Sequence, residues 1–320
     1  MHRYLIDLGA SRTRVAVDGK LERTVPSEML VCTQDCRVLG FGEPDESGLE
    51  RSPDNIKVCR LMEQGRVVET DLTTAFLKEL APTRGHLSVS KPALAVTVPA
   101  NFADYEREAL SNAAHAARFD KVRLVEEVVA HAVGADWSSG GEPCAVLVVG
   151  AAYAQAGVVK GGELVCARSL RARNPIDGAA GDAFAACLRR HVREAHGLHI
   201  GRDQAECVLS GSSFAVNAFD ERSGRATEIS LTREEVLAAM RDPVERLSRL
   251  LTATMDEARE ALGAHEWSAV QRRGVLLTGG GAMLPWLEES LRASAAEGFV
   301  RPERPDETAI QGLIKMEARA

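Results

Sequence analysis

Asp7-Leu8-Gly9-Ala10-Ser11-Arg12-Thr13, near the start of the chain, and Leu277-Thr278-Gly279-Gly280-Gly281-Ala282-Met283-Leu284, near its end, decide how the rest is read. In the first, an acidic residue leaves an apolar strand and meets a glycine followed by small and hydroxylated residues. Backbone N–H groups in such a turn form a nest for anions, and glycine lets a phosphate approach closely. Asp7 has the chemistry to hold Mg²⁺ through water, since that ion prefers oxygen ligands and keeps its waters. In the second, three glycines between a strand and a helix let the backbone approach a ligand and turn a helix N-terminus towards it. Each stretch taken alone is equally readable as a tight structural turn.

Working outward, residues 4–8 read as a strand and 13–17 as its returning partner, ending at Asp18-Gly19, a strong hairpin signal. The spacing of Leu72, Ala75, Phe76 and Leu80 predicts a helix from Asp71, with Asp71 as its N-cap. Residues 93–98 read as a buried strand stopped by Pro99, then a helix over 101–117 whose start carries Asp104, Glu106 and Glu108. Residues 122–125 read as a strand leading into a helix from about Val128. The second half repeats the pattern: a strand over 145–149, a break at Gly150, a return over 156–160 into Gly161-Gly162, and a strand over 274–278 entering the glycine triplet. Two such hairpins, each followed by strand–helix units, predict two related α/β lobes, with a nucleotide in the cleft between them. Residues 45–55 and 217–226 read as polar surface loops.

Composition sets the limits. At 320 residues the chain is long enough to split into two cores. A hydrophobic fraction of 45% with only 4% aromatics predicts a soluble protein with an Ala, Val and Leu core. The net charge of -7 argues against a nucleic-acid partner, which needs a basic face. Seven cysteines, several inside apolar runs, read as buried reduced thiols, and Cys32 with Cys36 lacks a second pair for zinc. Neither a signal peptide nor a membrane span is expected, which makes the cytoplasm the default location. His131 reads as a surface or half-buried helix residue. His191, His196 and His199 read as a solvated helix end, 104–108 as an exposed helix face, and Trp286 as core beneath the glycine turn.

Further segments between the two stretches carry a family likeness. Pro99-Ala100-Asn101-Phe102, Leu124-Val125-Glu126-Glu127-Val128-Val129-Ala130-His131-Ala132, Gly181-Asp182-Ala183-Phe184, Gly197-Leu198-His199-Ile200-Gly201 and Ile229-Ser230-Leu231-Thr232-Arg233-Glu234-Glu235-Val236 fall in order between them. With the two loops, they resemble the actin-type ATPases, and among those the MreB-type bacterial rod-shape proteins, over nearly the whole chain. The resemblance implies an α/β actin-like fold: one lobe over residues 1–134, a second over 135–305, and a C-terminal helix over 306–320 returning to the first. It implies ATP or ADP with Mg²⁺. Asp7, Gly9, Ser11, Arg12 and Gly150 would face the phosphates, with Asp7 also at the metal. Glu127 would position the attacking water. Gly181 and Asp182 would lie near the nucleotide, Glu206 at the ribose or base, and Gly279, Gly280 and Gly281 beside nucleoside and phosphate.

The second phosphate loop departs from this pattern. Where the family has Asp-Ile-Gly-Gly-Gly-Thr-Thr-Glu, this chain has Val148-Val149-Gly150-Ala151-Ala152-Tyr153-Ala154-Gln155. Leu209 stands at the adenine-side lysine, Val128 replaces a proline, and 172–178 looks like an insertion. Phosphoryl transfer depends on positioning and electrostatics, and losing one such group costs about 3–4 kcal/mol in comparable sites. Binding with weak or lost hydrolysis is therefore expected, alongside self-association into filaments and contact with other cell-shape or wall-synthesis proteins. The alternative is a non-polymerising pseudo-ATPase scaffold. A sugar kinase or chaperone ATPase would need a further domain that this chain is not expected to carry. No amphipathic membrane helix is expected either, since only six residues precede Asp7.

Overall fold

The computed structural model describes residues 2–32, 34, 38–41, 55–63, 66–67, 70–81, 91–294 and 298–319. Two compact units emerge, Met1–Asp136 with Thr308–Ala320, and Trp137–Glu307.

The first unit is built on a five-stranded sheet. It contains β1 (Arg3–Leu8), β2 (Arg12–Val17), β3 (Lys20–Pro26), β9 (Ala93–Val98) and β10 (Lys121–Glu126), in the order β10-β9-β1-β2-β3. β1, β2 and β3 form an antiparallel meander, and β9 and β10 add on in parallel. The interior strand β9 reads Ala-Leu-Ala-Val-Thr-Val, the near-continuous apolar run of a strand covered on both faces. Asp18 and Gly19 turn β2 into β3 with φ of 50° and 83°, the two positive values of a type I′ turn. Beside this sheet lie β4 (Glu28–Cys32), β5 (Val38–Phe41) and β6 (Ile56–Arg60) in the order β5-β4-β6, and a short pair, β7 (Met62–Glu63) with β8 (Arg66–Val67). The helices are α1 (Thr70–Leu80), α2 (Asp104–Ala116), α3 (Glu127–Gly134) and the C-terminal helix (Thr308–Ala318). The C-terminal helix crosses α3 so closely that a Cβ on Gly134 would lie 1.7 Å from the Thr308 carbonyl oxygen.

The second unit repeats that wiring. β11 (Cys144–Val149), β12 (Ala154–Lys160) and β13 (Glu163–Leu170) form the meander, and β16 (Val275–Thr278) and β17 (Phe299–Val300) continue it in parallel, in the order β13-β12-β11-β16-β17. Around it lie α4 (Gly181–His196), α5 (Arg202–Leu209), α6 (Arg233–Ala239), α7 (Arg241–Ala261), α8 (Ala264–Arg273) and α9 (Leu287–Ser294), with the hairpin β14 (Ala215–Asp220) and β15 (Arg225–Ser230) at one side. Leu147, Val158, Phe184, Leu188, Leu247 and Leu277 are among the buried side chains of its core.

Several expectations change. Residues 217–226 are not a loop: they lie in the β14–β15 hairpin, where Val216 and Ala218 are buried and the polar residues face outward. Asp71 sits inside the first turn of α1 rather than at its cap, because the helix begins at Thr70. α2 starts at Asp104, three residues later than expected, where the Ala103 N–H donates to the Glu106 carboxylate at 2.8 Å. Glu106 is buried, so 104–108 is not a wholly exposed face. The glycine triplet opens a 3-10 turn (Gly280–Met283), and α9 begins only at Leu287. Trp286 is core: its indole N–H donates to the Leu209 carbonyl and its ring meets Phe184 edge-on. Of the six described cysteines, Cys32, Cys144, Cys166 and Cys187 are buried and all six are free thiols. Cys36 lies outside the described residues, as do residues 45–54.

Candidate functional site: two glycine turns

In the first unit the site is assembled by the β1–β2 turn. The register pairs Leu8 with Thr13 and Asp7 with Arg14, so the four residues Gly9 to Arg12 make the turn. A Cβ on Gly9 would lie 2.6 Å from the Arg12 carbonyl oxygen, and only glycine allows that closeness. Ser11 and Arg12 are exposed at the tip, and the Ser11 carbonyl accepts from the Ser27 N–H at 2.9 Å. Behind the turn, Asp7 is buried. The Thr97 hydroxyl donates to its Oδ1 at 3.1 Å and in turn accepts from the Leu8 N–H. Arg14 Nη1 stands 3.5 Å from Asp7 Oδ2. At an effective dielectric of about 20, a unit pair at that spacing attracts by a gross energy of about 5 kcal/mol. Burial still wins and pushes the Asp7 carboxyl above its ordinary range. Arg14 pulls it back, Glu127 pushes it further up, and His131 and Thr97 lower it.

Glu127 opens α3, and its Oε1 lies 3.6 Å from His131 Nε2 one helical turn on. His131 was expected at or near the surface, but it is 2% exposed and its Nδ1 shares a 2.5 Å hydrogen bond with the Thr308 hydroxyl of the C-terminal helix. The alanine-rich neighbours that suggested exposure are what let the C-terminal helix close over it.

In the second unit the Gly150 turn has the same form. A Cβ on Gly150 would lie 3.0 Å from the Tyr153 carbonyl oxygen, and the Gly150 N–H donates to that oxygen. The carbonyls of Gly150 and Ala151 accept from the N–H groups of Gly181 and Asp182 at 3.1 and 2.7 Å, so α4 starts directly against this turn. Gly279, at φ 87°, and Gly281 back onto Val149: a Cβ on either would lie within 2.5 Å of it, whereas one on Gly280 meets nothing within 4 Å. Asp182 and Glu206 are joined by Arg202, whose Nη2 and Nε reach them at 2.6 Å each. Gly150, Gly181, Asp182 and the glycine triplet thus meet at one turn, and Glu206 is linked to it through Arg202 and Asp182. Val148 and Tyr153 are buried, and Leu209 lies in the core.

Arg14, Thr97, His131, Thr308 and Arg202 were not singled out by the sequence reading as partners of the site. Counting back from a four-residue turn places Arg14 opposite Asp7, and the i, i+4 spacing places His131 beside Glu127. The same spacing places Arg202 beside Glu206, but nothing local announces Thr308 or the reach of Arg202 to Asp182. A magnesium ion seeks charged oxygens and exchanges few of its waters. At Asp7 it would meet a guanidinium and a carboxyl whose burial favours its neutral form, and the equivalent Val148 offers no oxygen on its side chain. These residues do not fit a magnesium ion.

Among the described residues, no helix is long and apolar enough to cross a membrane. The profile of the MreB/Mbl protein family matches residues 2–320. The cell shape-determining protein Mbl of Bacillus subtilis (strain 168) is 26% identical over 314 residues, covering 94% of this chain and 91% of the relative. The crystal structure of MreB 5 of Spiroplasma citri bound to AMPPNP superposes with a TM-score of 0.86 at 18% identity, covering 99% of this chain and 96% of that one. The MamK double helical filament matches with a TM-score of 0.75 at 15% identity, covering 99% of both chains. The repeated sheet wiring, the two glycine turns and these matches agree: the fold is actin-like, and this chain belongs to the MreB/Mbl protein family.

Proposed function

We propose that this chain is an MreB-type cytoskeletal protein that binds ATP or ADP, turns it over very slowly, and forms or modulates filaments in cell-shape or cell-wall morphogenesis. Asp7, Gly9, Ser11, Arg12, Gly150, Gly181, Asp182, Glu206, Gly279, Gly280 and Gly281 are the binding residues of this reading, and Glu127 orients the attacking water. Support for binding comes from the preserved turns and from the relative solved with AMPPNP. Support for self-association comes from the MamK filament, since head-to-tail contacts between copies propagate. The cytoplasm is the location this reading implies.

One observation carries the slow turnover. In the Gly150 turn the Gly150 N–H is spent on Tyr153, and the Gly150 and Ala151 carbonyls are spent on α4. The side chains at 148 and 151–153 are Val, Ala, Ala and Tyr. No carboxylate or short hydroxyl remains there to hold water at a developing charge, which is where phosphoryl transfer gains its rate.

Sedimentation with ADP, ATP and AMPPNP, run beside a phosphate-release assay, tests both halves. Nucleotide-dependent pelleting with very slow phosphate release is expected. Brisk release would overturn the slow-turnover half. A strict monomer at high concentration with every nucleotide would overturn the filament half and favour the scaffold alternative.

A further inference from the structure

We infer that Arg14 is the fixed cation of the first phosphate turn, and that nucleotide binding by this protein needs no divalent ion. The inference rests on the nucleotide reading above and adds what neutralises the phosphates.

Arg14 and Asp7 are cross-strand partners immediately behind the Gly9 turn, so their side chains leave the same face of the sheet. The guanidinium is largely buried and 3.5 Å from the carboxylate. A guanidinium is charged at every relevant pH and carries five donors in a planar fork that suits phosphate oxygens as well as carboxylates. Asp7 is thus already provided with a counter-charge by its own hairpin. A dication at Asp7 would have to displace that guanidinium from the carboxylate.

The hydrogen bonding around Asp7 fits the same assignment. Thr97 Oγ1 ties the carboxylate to the Leu8 N–H and fixes its direction within β1. The turn keeps its glycine and its exposed Ser11 and Arg12, so the part that meets an anion is retained while the part that would hold a metal is occupied from within. The second hairpin holds no competing carboxylate at the equivalent pair, which is Val148 and Gln155.

The test is an equilibrium titration of the full chain with ADP, in excess magnesium and in excess EDTA. The expected dissociation constants agree within about threefold. Arg14→Leu is expected to weaken binding in EDTA by about tenfold or more and to regain part of it with magnesium, while Arg14→Lys retains most of the metal-free affinity. Thermal melts of each variant identify any that fails to fold, and the magnesium-against-EDTA comparison on the native chain needs no variant. Native binding that falls about tenfold or more in EDTA overturns the inference, as does metal-free binding by a folded Arg14→Leu chain at native affinity. Either result leaves the nucleotide reading standing. No ADP binding to the native chain in either condition overturns both.

Discussion

Behind the Gly9 turn the cross-strand pair is Asp7 and Arg14; behind the Gly150 turn it is Val148 and Gln155. The match extends to the next strand, where Thr97 of β9 lies beside Asp7 and Thr278 of β16 lies beside Val148. Backbone and wiring are shared, but one pair is ionic and the other neutral. Thr97 bonds the aspartate it faces, whereas Thr278, facing a valine, donates to the Pro305 carbonyl at 2.8 Å. The difference teaches that this fold needs the glycine turn and the strand order, not the charge behind the turn. On the function proposed above, charge there serves the ligand, and only the first unit carries it.

The largest effects should come from what the two turns share. Gly281→Leu or Gly279→Val would drive side-chain atoms into Val149, the latter also from a left-handed backbone, and should cost roughly 3 kcal/mol or more. Gly280→Ala meets open space and should stay within about 0.5 kcal/mol. Urea denaturation ranks the three, and equal losses at 280 and 281 would break the account of the turn.

Next come the pairs behind the turns. Arg14→Leu alone leaves a buried carboxyl without its guanidinium and should cost about 3 kcal/mol, whereas Asp7→Leu with Arg14→Leu should fall within about 1 kcal/mol of the native chain. Val148→Asp should cost about as much as the single Arg14 change, because its cross-strand partner Gln155 cannot neutralise it. If the double variant is as unstable as the single one, the ionic pair is structural and the contrast with Val148 and Gln155 collapses.

The chemical contrast is read by repairing the second turn. Val148→Asp, Ala151→Gly, Ala152→Gly and Tyr153→Thr together should raise phosphate release by about tenfold or more, less than the full worth of the groups restored. A folded variant that binds nucleotide and gains no turnover would show that the Gly150 turn is not what limits hydrolysis.

The smallest effect lies at the far end of the first hairpin. Asp18 accepts from the Arg3 N–H and from His2, and these bonds hold its carboxyl below the usual range. A depressed carboxylate contributes stability above its unfolded value of about 3.9, and that contribution is lost as pH falls through the lower folded value. Asp18→Asn, which tolerates the φ of 50°, should cost about 0.5 kcal/mol at neutral pH, a cost that fades as pH falls through the lowered folded value. The Gly161-Gly162 end of the second hairpin carries no carboxylate in its turn and should show no such pH dependence.

Much of this protein was set by the chain alone. Apolar runs of strand length, glycine breaks at 9, 150 and 279–281, and the order of the intervening motifs gave two related α/β halves and the family resemblance. These signals are local: a strand covered on both faces must be apolar, and a turn that crowds a carbonyl must be glycine. The departure from the family pattern at Val148 and Tyr153 was legible for the same reason, since the side chains themselves differ. Tertiary structure decided the rest. Arg14 becomes the partner of Asp7 only when the hairpin register is fixed. His131 becomes buried only because Thr308 arrives from the C-terminal helix. Asp182 and Glu206 are tied only because α5 brings Arg202 within reach of α4. The β14–β15 hairpin hides behind a polar sequence because only one face of each strand is partly covered. Each depends on which distant residues share a small volume, and residue order sets that only through the packing of the whole core.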